Sequence, residues 1–413
     1  MGRSDHFQPD IWIAFDAGKT EHFMQILAAA DGADLGSHAV ANDEEAIETA
    51  LSSVSADADI ALIIDLQCSI AQLLLAIAAR RRIPVAYISG LKMRRASELY
   101  PGEAKTDPRD AYVLAETARL HSSRLTWMDV NDEKLEEMRV LCGYDQDLAN
   151  EETRKKNRLR DCLMSVSPAL ERILGPRLAH PAVLELLGAW PTPTAMRSAG
   201  RSRLSRKVAP LAPRMAERLV ADITAALEAQ TLTLPGEVAR GKVIAGLAGD
   251  LSQIRLRRNE LVEELEELLV AHPDGPLLMS LSGIGVRSGT QIVVEIGDVS
   301  RFPTAGHLAA YAGLAPVTHR SGTSIRGERR SRRGNRRLKH AVWVSSFAAL
   351  RANDESRTYY DKKREEGKSH KQAMAALCRR RIDVIYAMLR DHSVYKPGRP
   401  SRADHGGTDV RAA

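Results

Sequence analysis

Cysteine is scarce in this 413-residue chain, and the four present, Cys68, Cys142, Cys162 and Cys378, lie far apart. No pair has metal-ligand or redox spacing, which argues against a disulfide framework and for a reducing, cytoplasmic setting. Aromatic residues make up only 4% of the chain, which disfavours a general single-strand binder built on stacking platforms. The opening MGRSDHFQPD is polar and holds no apolar stretch of signal-peptide type. Residues 60–79 are the most apolar region, but Asp65, Gln67 and Gln72 interrupt them. That is too broken for a membrane span, and a strand followed by a helix explains it better.

What the chain does have is an uneven charge. Net charge is +6 overall, but residues 1–128 carry −6, residues 129–273 carry −1, residues 274–395 carry +11 and the tail +2. A basic C-terminal region suggests a polyanion partner, and an acidic N-terminal one suggests carboxylates with a purpose. Solvated surfaces of opposite sign would give the same sums.

The pattern of apolar residues divides the chain into four segments, 9–128, 129–273, 274–395 and 396–413. In the first, residues 11–15 form a continuous apolar run ending at Asp16, as a buried central strand does. Residues 21–29 and 34–40 flank Asp31-Gly32, a hairpin turn signal. A helix over 43–54, a buried strand over 60–66, a helix over 69–82, a strand over 83–88 and a helix over 108–121 complete the order. Three strands, helix, strand, helix, strand, helix is the order of an RNase H-like α/β domain.

The second segment is mostly helical, with a basic cluster Arg154, Lys155, Lys156, Arg158 and Arg160 and a proline-punctuated stretch, 176–213, that reads as a break or loop between helices and holds the basic run 201–207. A helix over 249–271 places Leu251, Ile254, Leu261, Leu265 and Leu268 on heptad a and d positions, with Arg258 on the intervening a. That seam permits a short coiled coil between subunits, or a helical hairpin packed on its own chain. The third segment is mainly helical, and the Gly- and Pro-rich tail reads as disordered.

Asp16, Asp65, Asp107 and Asp110 form the first candidate constellation. Asp16 and Asp65 close two apolar strands, where a carboxylate is paired, metal-bound or at the mouth of a sheet. Asp107 and Asp110 are three apart at a helix start, so their side chains can converge. Four carboxylates suit Mg²⁺ or Mn²⁺, and two such ions about 4 Å apart clamp the oxygens of a phosphodiester. For the last pair capping is an alternative, with Asp107 as N-cap, Pro108 first in the helix and Asp110 at N3.

Towards the C-terminus, Gly283-Ile284-Gly285 is a turn whose amides could approach a phosphate, or a plain helix–helix turn. Residues 326–339 hold eight basic residues, Arg326, Arg329, Arg330, Arg332, Arg333, Arg336, Arg337 and Lys339, and one acid. Guanidinium forks suit phosphate oxygens, and such mutual repulsion calls for nucleic acid or full exposure. Ser321 precedes Gly322 in a polar stretch with Arg320 beside it. By itself it is a turn residue. His319 has no evident orienting acid, so no hydrolase triad is in view.

Several blocks together resemble the insertion sequence 110 family of DEDD transposases. GEAKTDPRDA at 102–111 resembles that family's signature, with Asp16 at the first acid and Asp107 and Asp110 at the last two. Asp65 stands where the family usually has Glu. LMSLSGIG at 278–285 resembles a helix-hairpin-helix turn, YAGLAP at 311–316 with Ser321-Gly322 resembles the serine block, and RGNRRL at 333–338 resembles the element that follows, with Lys339 where Arg is usual. The resemblance implies a RuvC-like N-terminal domain, Mg²⁺ held by the four aspartates, and Ser321 as a nucleophile giving a covalent serine–DNA intermediate, with Ser324 as the runner-up. It also implies a dimeric or tetrameric homo-oligomer acting on double-stranded DNA, and in some members a guide RNA. Two other readings remain open: a RuvC-like endonuclease acting on branched DNA with water as nucleophile, and a nucleic-acid-binding protein without chemistry.

Overall fold

The computed structural model describes residues 7–54, 57–65, 69–100, 106–128, 132–321, 325–330 and 333–397. The chain divides into two compact units, Met1–Glu133 and Lys134–Ala413. The expected disordered tail, apart from its first two residues, lies outside the described residues.

The N-terminal unit runs β1 (Ile11–Asp16), β2 (Glu21–Ala28), β3 (Asp34–Ala41), α1 (Glu44–Ser52), β4 (Ile60–Ile64), α2 (Gln72–Arg80), β5 (Val85–Tyr87), α3 (Gly90–Ser97), α4 (Asp107–Leu120) and β6 (Thr126–Met128). The sheet order is β3-β2-β1-β4-β5-β6. β1 is antiparallel to β2 and parallel to β4, while β6 adds an antiparallel edge. This mixed sheet is consistent with an RNase H-like α/β domain. Strand β1 up to Phe15 and all of β4 are apolar, and both faces of each are covered. Ile13, Phe15, Leu62 and Ile64 pack with Ile47 of α1 and Leu74 of α2, whereas Trp12, Ala14, Ala61 and Ile63 pack with Val113 and Leu114 of α4. Asp43 caps α1 by accepting from the Ala46 amide at 2.8 Å.

Two elements escape the sequence pattern. α3 has no fully apolar stripe, and β6 is only three residues long. Tertiary contact carries β6: the Trp127 ring stacks on buried Trp12 at 5.8 Å.

In the helical unit, α5 (Glu133–Val166) leads to α6 (Pro168–Leu174), α7 (Pro181–Ala189), α8 (Pro193–Val208), α9 (Ala216–Ala229) and α10 (Glu237–Ala271). The proline-rich stretch is therefore helical, not a break. Each proline of Pro168, Pro181 and Pro193 opens a helix behind a capping side chain, Ser167, His180 or Thr192. At a first helical position the missing N–H costs nothing. The basic run 201–207 accordingly lies inside α8, after a kink at Gly200 with φ 74°.

α10 begins twelve residues earlier than the heptad pattern indicates, and its seam is covered by the same chain. Ile254 and Leu261 pack with Leu148 and Leu141 of α5, and Leu265 and Leu269 with Met138 and Cys142. Arg258 reaches Asp145 at 2.9 Å and Glu152 at 2.8 Å. The open choice thus falls to a helical hairpin, and the one polar residue of the seam has its partners within it.

The unit continues with α11 (Gly275–Met279), α12 (Val286–Ile296), α13 (Ala305–Tyr311), β7 (Pro316–Ser321), β8 (Ile325–Arg330), α14 (Arg336–Ala352), α15 (Asp354–Glu365) and α16 (His370–Arg390). Strands β7 and β8 form a two-stranded antiparallel hairpin, so Arg326, Arg329 and Arg330 of the basic run lie on a strand, whereas Arg336, Arg337 and Lys339 lie in α14. Among the described residues no helix is long and apolar enough to cross a membrane.

His22 on β2 is fully buried beside Phe15, and neither ring nitrogen makes a hydrogen bond. Burial pushes its pKa below 6.5, with neighbouring Asn42 opposing part of the shift. The unfolded chain then binds the proton more readily than the folded one, so this group costs stability as pH falls through the unfolded value. We expect hydrogen exchange of β1–β2 peptides, corrected for intrinsic rates, to show a weakening sheet below pH 6.5. The slope from one such group is at most about 1.4 kcal/mol per pH unit. His22→Phe should flatten that dependence.

Candidate active site

Asp16 is the last residue of β1 and Asp65 directly follows β4. The strands are parallel with Phe15 opposite Ile64, so the two aspartates leave the sheet at the same level. Side chains alternate along a strand. Phe15 and Ile64 face the α1–α2 layer, which puts Asp16 and Asp65 on the α4 side. There they line a cavity of about 720 Å³ together with Asp110, Arg109, Arg94 and Glu98. Asp110 is carried there by α4, whose Ala111 and Leu114 are buried against the sheet.

Three of the four expected aspartates therefore line one cavity. Asp107 does not line it; it is exposed, one turn towards the N-terminus from Asp110 and Ala111. The capping alternative is not what holds this pair. Thr106, not Asp107, is the N-cap, and no side chain caps the helix. Both acids still lie in the first turn, where they suit the helix dipole.

The cavity's Glu98, Arg94 and Arg109 were missed by sequence reasoning. Arg109 was legible within the signature itself, whereas Arg94 and Glu98 depend on α3, which the pattern did not reveal. Arg109 donates to the Tyr100 carbonyl at 3.0 Å. Among the described residues no three acidic, histidine or cysteine side chains stand close enough together to hold a metal ion. By donor type, carboxylate oxygens are what a hard divalent cation takes, and the arginines offer positive charge to a phosphate.

In the helical unit, Ser321 is the last residue of β7, paired with Ile325. It is a strand residue and not a turn residue. Arg320 pairs with Arg326 across the hairpin, and Arg329 and Arg330 lie towards its base opposite Val317 and Pro316. Ser324 and Arg332 lie outside the described residues.

The base of the hairpin is closed by backbone contact between its two flanks. Gly313 has φ 65°, and a Cβ on it would meet the Arg333 carbonyl at 2.3 Å. Gly334 has φ 105°, and its Cβ would meet the Gly313 nitrogen at 2.5 Å. Side chains tie the same place. Asn335 donates to the Tyr311 hydroxyl at 2.9 Å and to Glu295, and accepts from the Leu338 amide as the cap of α14. Lys339 donates to the Gly313 carbonyl at 2.6 Å.

Arg336 and Arg337 project exposed from the first turn of α14, with Arg337 3.9 Å from Glu295. Cations at a helix N-terminus oppose its dipole, so an anion brought there would relieve a local cost. Cys142 and Cys378 are poor nucleophile candidates, because burial pushes their thiols up to about 12 and about 11.

The turn between α11 and α12 is explained by packing. Gly283 has φ 87°, and a Cβ there would meet the Ser345 carbonyl at 2.4 Å and the Ala349 nitrogen at 2.6 Å. Buried Arg381 of α16 donates to the Ser282 carbonyl at 2.8 Å. Gly285 is exposed at the start of α12, and its amide donates to the Ser288 hydroxyl.

Two family models match the chain. A transposase model of the DEDD IS110 type covers residues 13–168, and one described as "Transposase IS116/IS110/IS902 family" covers 275–361. The "Insertion element IS110 uncharacterized 43.6 kDa protein" of Streptomyces coelicolor is 45% identical, over 95% of this chain and 96% of its own length. The "Insertion element IS900 uncharacterized 42 kDa protein" of Mycobacterium paratuberculosis is 35% identical over 95% and 99%. The "Pilin gene-inverting protein" of Moraxella bovis is 34% identical over 28% of this chain and 37% of its own. With acids and arginines around one cavity and a basic hairpin elsewhere, these matches define a transposase, an enzyme that cuts and rejoins DNA. The chain belongs to the IS110 family.

Gly283→Ala should lower the stability of the helical unit. A non-glycine residue at such a φ costs about 1–3 kcal/mol, and the backbone of α14 must also move. A shift of the urea midpoint with protection lost across the 280–285 turn in hydrogen exchange would show it.

Proposed function

We propose that this transposase cuts and rejoins DNA through a covalent phosphoserine at Ser321, assisted by a divalent cation that Asp16, Asp65 and Asp110 would draw together to hold, with Asp107, one turn away, joining them as the family resemblance implies. The observation that carries the metal half is the convergence of Asp16, Asp65 and Asp110 on one cavity at the ends of two parallel strands. Mg²⁺, or Mn²⁺ in its place, would neutralise charge on the scissile phosphate and ease departure of the leaving oxygen.

The chain's own groups do the rest. The Ser321 hydroxyl oxygen bonds to phosphorus as the P–O3′ bond breaks. The serine proton ends on the departing 3′ oxygen, leaving a free 3′ hydroxyl and a 5′-phosphoserine strand. Rejoining reverses this with a different 3′ hydroxyl. One phosphodiester replaces another at each step, so no outside energy source is needed. Arg320 and Arg326, opposite each other in the register of the hairpin, would carry cationic charge near the reacting phosphate. Arg329, Arg330, Arg332, Arg333, Arg336 and Arg337 extend that field along the DNA backbone, and Gly285 adds an exposed helix start. Lys339 and Gly283 complete the proposed contacts, and each also has a packing role.

The partners we propose are duplex DNA at element ends and target, further copies of this chain, and a structured RNA encoded by the element. The last two rest on the family resemblance alone.

Two substitutions test the reading on element-end DNA. Asp16→Asn should lower strand cleavage by about a hundredfold or more, measured by gel assay with Mg²⁺ present. Ser321→Ala should abolish the covalent protein–DNA adduct seen by denaturing electrophoresis. Cleavage that survives Ser321→Ala would instead establish water as the nucleophile.

A further inference from the structure

The near-neutral sum of the middle segment conceals a strongly polar surface. Residues 193–218 hold seven basic residues and one acid, which leaves −7 on the rest of 129–273. Folding gathers this charge on one helical hairpin, α8 and α9 with the turn between them. Leu204, Val208, Ala212 and Ala216 point into the core, and the basic residues alternate outward. Some of them are accounted for locally. Lys207 bridges Glu185 at 2.7 Å, Arg218 lies 4.0 Å from Asp222, and Arg197 donates to the Leu227 carbonyl at 3.3 Å.

Arg201, Arg203, Arg206 and Arg214 are different. All four are exposed, and among the described residues none forms an ion pair with an acid. Four guanidinium groups without counter-charges repel one another, and a row of phosphates offers planar acceptors to match them. The hairpin has no Phe, Tyr, Trp or His between 193 and 218. It therefore lacks the stacking surfaces on which single-stranded RNA or DNA is read, whereas a duplex backbone needs only charge and shape.

We propose that the α8–α9 hairpin is a second DNA-binding surface, on which Arg201, Arg203, Arg206 and Arg214 contact the phosphate backbone of duplex DNA without reading its bases. This rests on the chain being a DNA transposase, but not on Ser321 or the aspartates.

The test uses the full-length protein with Arg201, Arg203, Arg206 and Arg214 all changed to Gln, and a labelled random-sequence DNA duplex. Anisotropy titrations over a range of salt give the slope of log affinity against log salt. Each phosphate contact contributes about 0.9 to that slope, so the variant should lose about 3 to 4 units of slope. Affinity at low salt should fall at least about tenfold, while Arg203→Gln and Arg206→Gln singly each remove about one unit. Circular dichroism should match wild type because all four side chains are exposed; if the fourfold variant misfolds, the single variants decide. An unchanged slope, or a loss seen with a duplex RNA probe but not with DNA, would overturn the proposal. The serine adduct on saturating element-end DNA is read separately: its persistence in the arginine variant, with the slope lost, separates this surface from the catalytic reading.

Discussion

Strands β1 and β4 run side by side in the same direction, both apolar up to an aspartate at the same level of the sheet, Asp16 closing β1 and Asp65 directly following β4. Everything else about the carboxylate cavity depends on that pairing. Because each strand is buried on both faces, its register is set by packing, and a slip of one residue would turn Asp16 or Asp65 into the opposite layer. α4 then needs only one buried stripe, through Ala111 and Leu114, to bring Asp110 to the same place. The position of the acids follows from the core, with no dedicated scaffold of their own.

The hairpin that carries Ser321 is held differently. It is a sheet of two strands only, and such a pair has little stability alone. Its base is secured by the approach of Gly313 to Gly334 and by Asn335 and Lys339 around them. The blocks YAGLAP and RGNRRL, which flank the hairpin in sequence, thus have a physical reason for their glycines and their asparagine that is separate from DNA.

Much of this was legible in the sequence where a local rule governs the element. The buried runs at 11–15 and 60–64, the Asp31-Gly32 turn and the helix opening at Pro108 follow from periodicity and turn chemistry. The misreadings arise where tertiary contact decides. Pro181 and Pro193 looked like breaks because their value at a first helical position depends on the cap before them. The α10 seam could have faced another subunit, and only the place of α5 shows what covers it. α3 carries Arg94 and Glu98 to the cavity without an apolar stripe to announce it. The reason for Gly283 lay out of reach, because its neighbours Ser345 and Ala349 are some sixty positions away in the chain.

The clamp at Gly313 and Gly334 also makes the segment between them a closed excursion: the chain leaves the helical core and returns to it at nearly the same point. The helices on either side register only that the two ends meet. Beyond Leu314 and Ala315, which pack on the core between α13 and α14, the residues carried between them answer to their own chemistry more than to the packing of those helices. The serine and arginines that the proposed reaction uses therefore sit on a piece whose demands are set by DNA, while the rest of the unit stays under the ordinary constraints of a packed interior.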